Sequence, residues 1–539
     1  IATRKTVGKY KTAVMKERML EINPDVDVQT HNCFFLPENA DDFPFEDYDY
    51  IVDAVDTATA KIALVMKAKE KGHDGAYLFD LSYPSMIAFM QYAERRDLRE
   101  KIYRAHNTRC VGGEFDNRDI VIRIAEIRNE IARLLGHKNY AEYVLEHRMA
   151  QNSDRVYNLL NQLLKAYKPT ALREIKQLQA FAEKKEGHPV KLMPWDYSYY
   201  STLQKDELYD LNDEMLKPYF ELEQVKKGVF GLATRLYGLT FKKNSEIPVY
   251  HPEVETFEVF DEDGSYLGVL YTDFYPRSTK QGGAWMTSFK DQWITREGEN
   301  SRPHISLVMN FTRPTESTPA LLTYDEVETF LHEFGHALHG LMANSRYESL
   351  SGTNVYRDFV ELPSQLMENW LPEQEFLETF AHHHLTGEVL PDSLIQKIRN
   401  TQRYHVGYHC VRQLTFGMLD MAWHTQTEKI EDITAFEQNA ISPTQLLPVI
   451  DGTLISSQFS HVFGGGYAAG YYGYKWAEVL DADAFSLFME NGIFDKKTAE
   501  AFRKNILEKG DTEEPMTLYV RFRGREPEIE AMMRRDGIK

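Results

Sequence analysis

The chain has 539 residues, 42% hydrophobic, with a formal net charge of −20; this length leaves room for two or three domains and hydrophobicity enough for ordinary globular cores. The excess of 82 acidic over 62 basic side chains argues against nucleic acid as a partner, and no run of about eighteen apolar residues is available to span a bilayer. Cys33, Cys110 and Cys410 are widely spaced, with no CxxC pair. Neither a disulfide framework nor a cysteine metal site is indicated.

In chain order, Ile1-Ala2-Thr3-Arg4-Lys5 has no apolar signal-peptide core, so a cytoplasmic location is expected. Residues 1–68 read as an α/β fragment: a helix from about Lys11 to Ile22, a break at Asn23-Pro24, a strand-like stretch from Val26 to Asn32, and a buried parallel strand from Tyr48 to Asp56. The strings Val7-Gly8-Lys9-Tyr10-Lys11, Ile22-Asn23-Pro24 and Asp53-Ala54-Val55-Asp56-Thr57 resemble the adenylating ThiF, MoeB and E1-like family. That resemblance puts nucleotide contacts on Lys11 and Asp56. The glycine-rich loop that should precede them is absent, leaving few backbone amides to hold a triphosphate. The fragment is therefore expected to be non-functional or fused.

From about Lys69 the pattern turns helical. Pro84 to Arg104, Ile120 to Leu135, Asp154 to Lys184 and Asp206 to Tyr237 carry apolar residues at spacings of three and four. Between Val249 and Thr312 the period drops to two. Phe257 to Phe260 and Tyr266 to Tyr271 flank Asp261-Glu262-Asp263-Gly264-Ser265, a hairpin signal. Ala284 to Phe289 and Ile305 to Phe311 add two short strands, so a small sheet is predicted here.

The next helix carries the chemistry. Thr323 with Glu326 three residues on forms a capping box, and Val327, Phe330, Leu331, Phe334, Ala337, Leu338 and Leu341 follow at helical spacing. Inside it lies His332-Glu333-Phe334-Gly335-His336. Two histidines four apart share a helix face and can reach one metal ion, with Glu333 beside them to act on a water. A third donor must come from elsewhere. The acids downstream are Glu348, Asp358, Glu361 and Glu368. Glu361 is the best placed, and Asp358, three residues earlier, shares its face, so one can ligate while the other orients a ligating histidine. His339 is read as a core residue or as a histidine that supports a ligand from behind, because three ligands on successive turns of one straight helix do not converge easily.

After Trp370 helices resume at Phe376 to Leu385, Pro391 to Trp423 and Ile433 to Gln438. His382-His383-His384 reads as a solvated turn. Then comes a segment dense in glycine, tyrosine and histidine, Ser460-His461-Val462-Phe463-Gly464-Gly465-Gly466-Tyr467-Ala468-Ala469-Gly470-Tyr471-Tyr472-Gly473-Tyr474. Glycines permit a mobile loop. Tyrosine hydroxyls and a histidine N–H can donate to a peptide carbonyl or to a developing oxyanion.

The stretch from Phe330 to Trp370, including Ser351-Gly352-Thr353 and Arg357-Asp358-Phe359-Val360-Glu361-Leu362-Pro363-Ser364-Gln365, resembles the M3 family of zinc metallopeptidases, which holds the oligopeptidases and the bacterial peptidyl-dipeptidase. The likeness extends through Gly282 to Phe289, His461 to Phe485 and Phe522 to Pro527, and covers about residues 69–539. It implies a mainly α fold, a helical clamshell with a deep central cleft, the zinc helix at its floor and the small sheet on one wall. It divides the chain at 1–68, 69–245 (a helical part lacking the usual N-terminal helices) and 246–539 (the catalytic region). It makes Glu361 the third ligand of one Zn2+ per chain beside His332 and His336, and Glu333 the general base. Asp358 would orient a histidine, and His461, Tyr467 and Tyr474, with Tyr471 less firmly, would stabilise the tetrahedral intermediate. Short unstructured peptides are the implied substrates of a monomer, with release of C-terminal dipeptides the leading outcome and internal cleavage its rival. The alternative from another class is an inactive zinc- and peptide-binding fusion.

Overall fold

The computed structural model describes Leu81 and residues 83–538 apart from Ser278, Glu316 and Ser317, together with Lys16. The expectations placed on residues 1–68, including Cys33, Lys11 and Asp56, fall outside the described residues. Contacts group the chain into two compact units, Ile1–His106 and Asn107–Lys539.

The described part of the first unit is helical. Helix α1 spans Tyr83–Tyr92 and α2 spans Arg96–Asn107, where the sequence pattern predicts one continuous helix. The break is held by Arg99, whose guanidinium donates to the carbonyls of Ala93 and Glu94 at 2.7 and 3.1 Å.

The second unit is mainly α. Its first helices are α3 (Arg118–Leu134), α4 (Tyr140–Leu145), α5 (Ser153–Glu186), α6 (Tyr197–Tyr209) and α7 (Leu222–Tyr237). The single predicted helix over Asp206–Tyr237 is divided, because Asp210 takes a left-handed backbone (φ 47°) and Pro218 follows. A proline deprives a helix interior of a donor and crowds the preceding turn. Seven strands come next: β1 (Thr240–Lys243), β2 (Glu255–Phe260), β3 (Tyr266–Asp273), β4 (Trp285–Lys290), β5 (Trp293–Ile294), β6 (Asn300–Ser301) and β7 (His304–Val308). The hairpin between β2 and β3 forms where expected, with Gly264 at φ 82° in its turn. The larger sheet has the order β1-β2-β3-β7-β4, with β3 and β7 parallel and the other neighbours antiparallel. Strand β4 is therefore an edge.

Then come α8 (Tyr324–Leu341), α9 (Leu362–Glu368), α10 (Asp392–Thr401), α11 (Val406–Thr425), α12 (Ile433–Ile441), α13 (Ser460–Phe463), α14 (Gly473–Asn491), α15 (Lys496–Phe502), α16 (Pro515–Arg523) and α17 (Ile529–Asp536). The stretch predicted as one helix from Pro391 to Trp423 is interrupted at His405, which sits at φ 53°. The predicted helix over Phe376–Leu385 is confined to Gln374–Leu377, and His382 pairs with Val389 across a turn.

Helix α8 is the structural centre. Its capping box forms as the sequence indicates: the Glu326 amide donates to the Thr323 hydroxyl and the Thr323 amide to the Glu326 carboxylate. Phe330, Leu331, Phe334, Ala337 and Leu341 are fully buried, in one cluster with Ile305 and Leu307 of β7. Each of the buried leucine, isoleucine and phenylalanine side chains contributes roughly 1.5–3 kcal/mol of burial energy. Two glycines set how closely neighbours approach. A Cβ on Gly335 would lie 2.4 Å from the Pro363 carbonyl oxygen, and one on Gly340 2.7 Å from Ile305 and 2.9 Å from Met286. Gly335 thus lets α9 lie against α8, and Gly340 lets the sheet do so.

Candidate metal centre

Helix α8 puts His332 and His336 one turn apart, with ring centroids 5.1 Å apart and planes at 85°. Glu361 stands immediately before α9, where the contact at Gly335 brings it under both rings. Its Oε2 lies 3.4 Å from His332 Nε2 and 3.1 Å from His336 Nε2. The ligand atoms of these three residues all lie within 4.8 Å of one another, the only such His/Cys/Asp/Glu group among the described residues. Ser364 Oγ donates to Glu361 Oε2 at 3.0 Å and steadies it.

Glu368, two turns along from Glu361, accepts from His332 Nδ1 at 2.5 Å. A carboxylate only accepts, so Nδ1 carries the proton and Nε2 is turned toward Glu361. Burial opposes charge on His332, but the Glu361 and Glu368 carboxylates outweigh it and push the imidazole up to about 10. Burial also opposes charge on Glu361, and the two histidines more than reverse it, holding that carboxyl far below its ordinary range. Two imidazole nitrogens converging on one carboxylate oxygen thus call for positive charge between them. A divalent cation meets that demand with the donors already in place, two imidazoles and a carboxylate. The buried His336 Nδ1 and Glu333 Oε2 have no hydrogen-bond partner in the protein, which marks a centre that its own side chains leave incomplete.

Glu333 is 5% exposed. Burial raises its carboxyl above the ordinary value, opposed by His332 and His336, and the Met286 amide of β4 lies beside it. That links the acid to the edge strand.

The glycine–tyrosine segment supplies an aromatic group. Tyr467 and Tyr474 stack at 5.5 Å and 11°, Tyr471 meets Tyr474 edge-on at 5.3 Å, and His461 lies 5.7 Å from Tyr467 and 5.9 Å from Tyr471. Burial, the Tyr467 hydrogen bond and the charge of Glu361 push the Tyr474 phenol far above its usual value. It is therefore a protonated donor within the field of a metal-site carboxylate. The Arg357 guanidinium lies 5.0 Å over the Tyr467 ring, is exposed, and makes no ion pair among the described residues.

Other sequence candidates fall elsewhere. Asp358 does not touch either histidine. Its buried oxygens accept from the amides of Met149 (3.0 Å) and Ala150 (3.1 Å) and from the Tyr472 hydroxyl (2.7 Å). The contact expected of Asp358 is made instead by Glu368, whose spacing of seven from Glu361 places it two turns on along nearly the same face. His339 is a fully buried core residue whose ring nitrogens have no partner in the protein, and burial lowers it to about 3. Glu348 is exposed. Among the described residues no helix is long and apolar enough to cross a membrane.

Residues 89–538 match the family model described as Peptidase family M3, and residues 1–76 match that of the ThiF family. Oligopeptidase A of Salmonella typhimurium is 41% identical over 489 residues, covering 89% of this chain and 72% of that protein. Dipeptidyl carboxypeptidase of Escherichia coli is 38% identical over 484 residues, covering 89% and 70%. Among solved structures, one described as an oligoendopeptidase F aligns over 84% of this chain and 69% of that one with a TM-score of 0.50 at 16% identity, a likeness of fold alone.

Proposed function

The chain belongs to peptidase family M3 and is a metallopeptidase that hydrolyses peptides; from that premise we propose that it is a zinc enzyme, one ion per chain, which releases dipeptides from the free C-termini of short unstructured peptides. The observation that carries the reading is the convergence of the ligand atoms of His332, His336 and Glu361 within 4.8 Å, with the unpartnered Glu333 Oε2 on the same helix as the two histidines.

His332 Nε2, His336 Nε2 and a Glu361 carboxylate oxygen would hold the zinc. When bound, zinc supplies Lewis acidity toward the scissile carbonyl and the attacking water. Glu333 Oε2 takes the proton of that water and returns it to the leaving amine. Its burial supports this, because a raised carboxyl has more drive to accept a proton. Glu368 holds the His332 Nδ1–H, keeping Nε2 free to ligate. Tyr474 and Tyr467, with His461, donate toward the oxygen that gains charge, and the protonated state of Tyr474 suits that task. The edge strand β4, beside Glu333, offers main-chain donors and acceptors to an extended substrate backbone.

Arg357 supports the dipeptide reading, since an unpaired guanidinium beside Tyr467 is a counter-ion for a substrate carboxylate. The higher identity to oligopeptidase A favours internal cleavage as the second reading. Matched peptides with free and amidated C-termini separate the two: dipeptide release from the free form alone supports the first, and equal cleavage of both the second. Residues 1–68 are read as a ThiF-like fragment without adenylating activity, 69–245 as the helical part and 246–539 as the catalytic part of a cytoplasmic monomer. A thermal shift with ATP and magnesium would contradict the inactive reading of the fragment. Zinc binding without turnover would favour a peptide-binding fusion.

A further inference from the structure

The glycine–tyrosine segment is gripped from behind by a polar relay that the chemistry above does not use. Asp420, on α11, is fully buried. Its Oδ1 accepts from the Ala469 amide and its Oδ2 from those of Gly470 and Tyr471, all at 2.9 Å. His424, one turn later and equally buried, sets its Nδ1 2.8 Å from Asp420 Oδ1. Its Nε2 faces the Arg128 guanidinium of α3 at 3.0 Å. A guanidinium only donates, so Nε2 accepts and Nδ1 carries the proton, which it gives to the Asp420 main-chain carbonyl at 2.8 Å beside the Oδ1 contact. The other arm of Arg128 donates to the Val462 carbonyl at 2.9 Å, one residue after His461.

The relay therefore clamps both ends of the exposed triplet Gly464-Gly465-Gly466: Arg128 before it at Val462, Asp420 after it at 469–471. Ala469 adopts φ 49°, a backbone that a residue with a Cβ avoids unless its surroundings enforce it. Its amide bond to the Asp420 carboxylate, the two bonds that follow at Gly470 and Tyr471, and its full burial are that enforcement. Tyr467 and Tyr474 lie two residues before and three after the anchored amides. We propose that Asp420, held by His424 and Arg128, is the positioning group of the tyrosine segment, fixing Tyr467, Tyr471 and Tyr474 in register over the metal centre while leaving the glycine triplet free to move.

The kinetic side of this proposal rests on the peptidase reading above; amide exchange does not. The test uses the full chain, zinc-loaded and zinc-free, as wild type, Asp420→Asn, Arg128→Lys and Leu414→Ala. Leu414 is a fully buried apolar residue of the same helix outside the relay. An asparagine presents one acceptor where the carboxylate presents two, so part of the three-amide grip is lost without a change of shape. Amide hydrogen exchange of residues 464–474 should rise at least about tenfold in Asp420→Asn and rise less in Arg128→Lys, with α8 unchanged and zinc content equal to wild type. Turnover should fall about tenfold to a hundredfold in kcat with KM within about threefold, the pattern of lost transition-state donors. Leu414→Ala should lower Tm while leaving kcat and exchange at 464–474 in place. Unchanged exchange of that segment in both relay variants overturns the proposal, as does an equal kcat loss in Leu414→Ala at equal Tm. If the wild type proves inactive while exchange rises in the variants, the peptidase reading fails and the anchor stands.

Discussion

Gly335→Ala is the sharpest test of how the metal centre is assembled. The added Cβ would sit 2.4 Å from the Pro363 carbonyl oxygen, 2.6 Å from Ser364 Cα and 2.8 Å from the Pro363 carbonyl carbon. All three are backbone atoms, so no rotamer change relieves the clash. Restoring ordinary contact requires α8 and α9 to separate by about 1 Å, the usual response to overpacking, at a cost of roughly 1–3 kcal/mol. Glu361 stands directly before α9, so it moves off the two histidines by a similar amount. Metal affinity should then fall at least about tenfold to a hundredfold, by analogy with damage to ligand-orienting contacts, and kcat about a hundredfold from misplacement. Gly231→Ala on α7 is the control, since nothing lies within 4 Å of a Cβ there; it should be neutral or stabilise by up to about 1 kcal/mol. Zinc competition against a chromophoric chelator, thermal unfolding and kcat/KM report the three effects. A Gly335→Ala protein with wild-type zinc affinity and Tm would refute the argument that this glycine sets the ligand geometry.

Further expectations concern single groups. Glu333→Gln should keep its zinc and lose about 10²–10⁴-fold in kcat, and full turnover with metal bound would remove Glu333 from the proton path. Glu368→Ala should weaken zinc binding about 10–100-fold in the same competition assay, whereas Asp358→Asn should lower Tm with little change in zinc affinity. Burial, Glu368 and Asp325 push Glu328 from an ordinary 4.5 up to about 8. The stability tied to its neutral form is present below pH 4.5 and is lost as pH rises through 8. Glu328→Gln should therefore raise Tm relative to wild type by an amount that grows from pH 5 to pH 9; a difference independent of pH would contradict the sign.

Much of this site is legible in the sequence because its signals are local. The capping box at Thr323, the apolar spacing along α8 and the pair His332 and His336 all depend on residues within a few turns, and each forms as read. Glu361 becomes a convergent donor only through the α8–α9 contact at Gly335, which periodicity does not reveal. Asp358 and Glu368 show the same limit. Both are acids at helical spacing from Glu361, and which one meets His332 is decided by how α9 lies against α8. Apolar periodicity does not mark a helix end where one residue leaves the helical region, as Asp210 and His405 do, since the surrounding period runs on unbroken. The Asp420 relay is not legible in the sequence, because apart from His424 its partners lie 49 or more positions away, on α3 and in the tyrosine segment, and a single aspartate in a helix announces none of them.

The most direct test of the account is mass spectrometry of the products that the zinc-loaded chain makes from a defined mixture of short peptides, with free and amidated C-termini, with and without a chelator. Chelator-sensitive release of dipeptides from the free C-termini only is the expected result. No cleavage by protein that demonstrably holds one zinc per chain would contradict it.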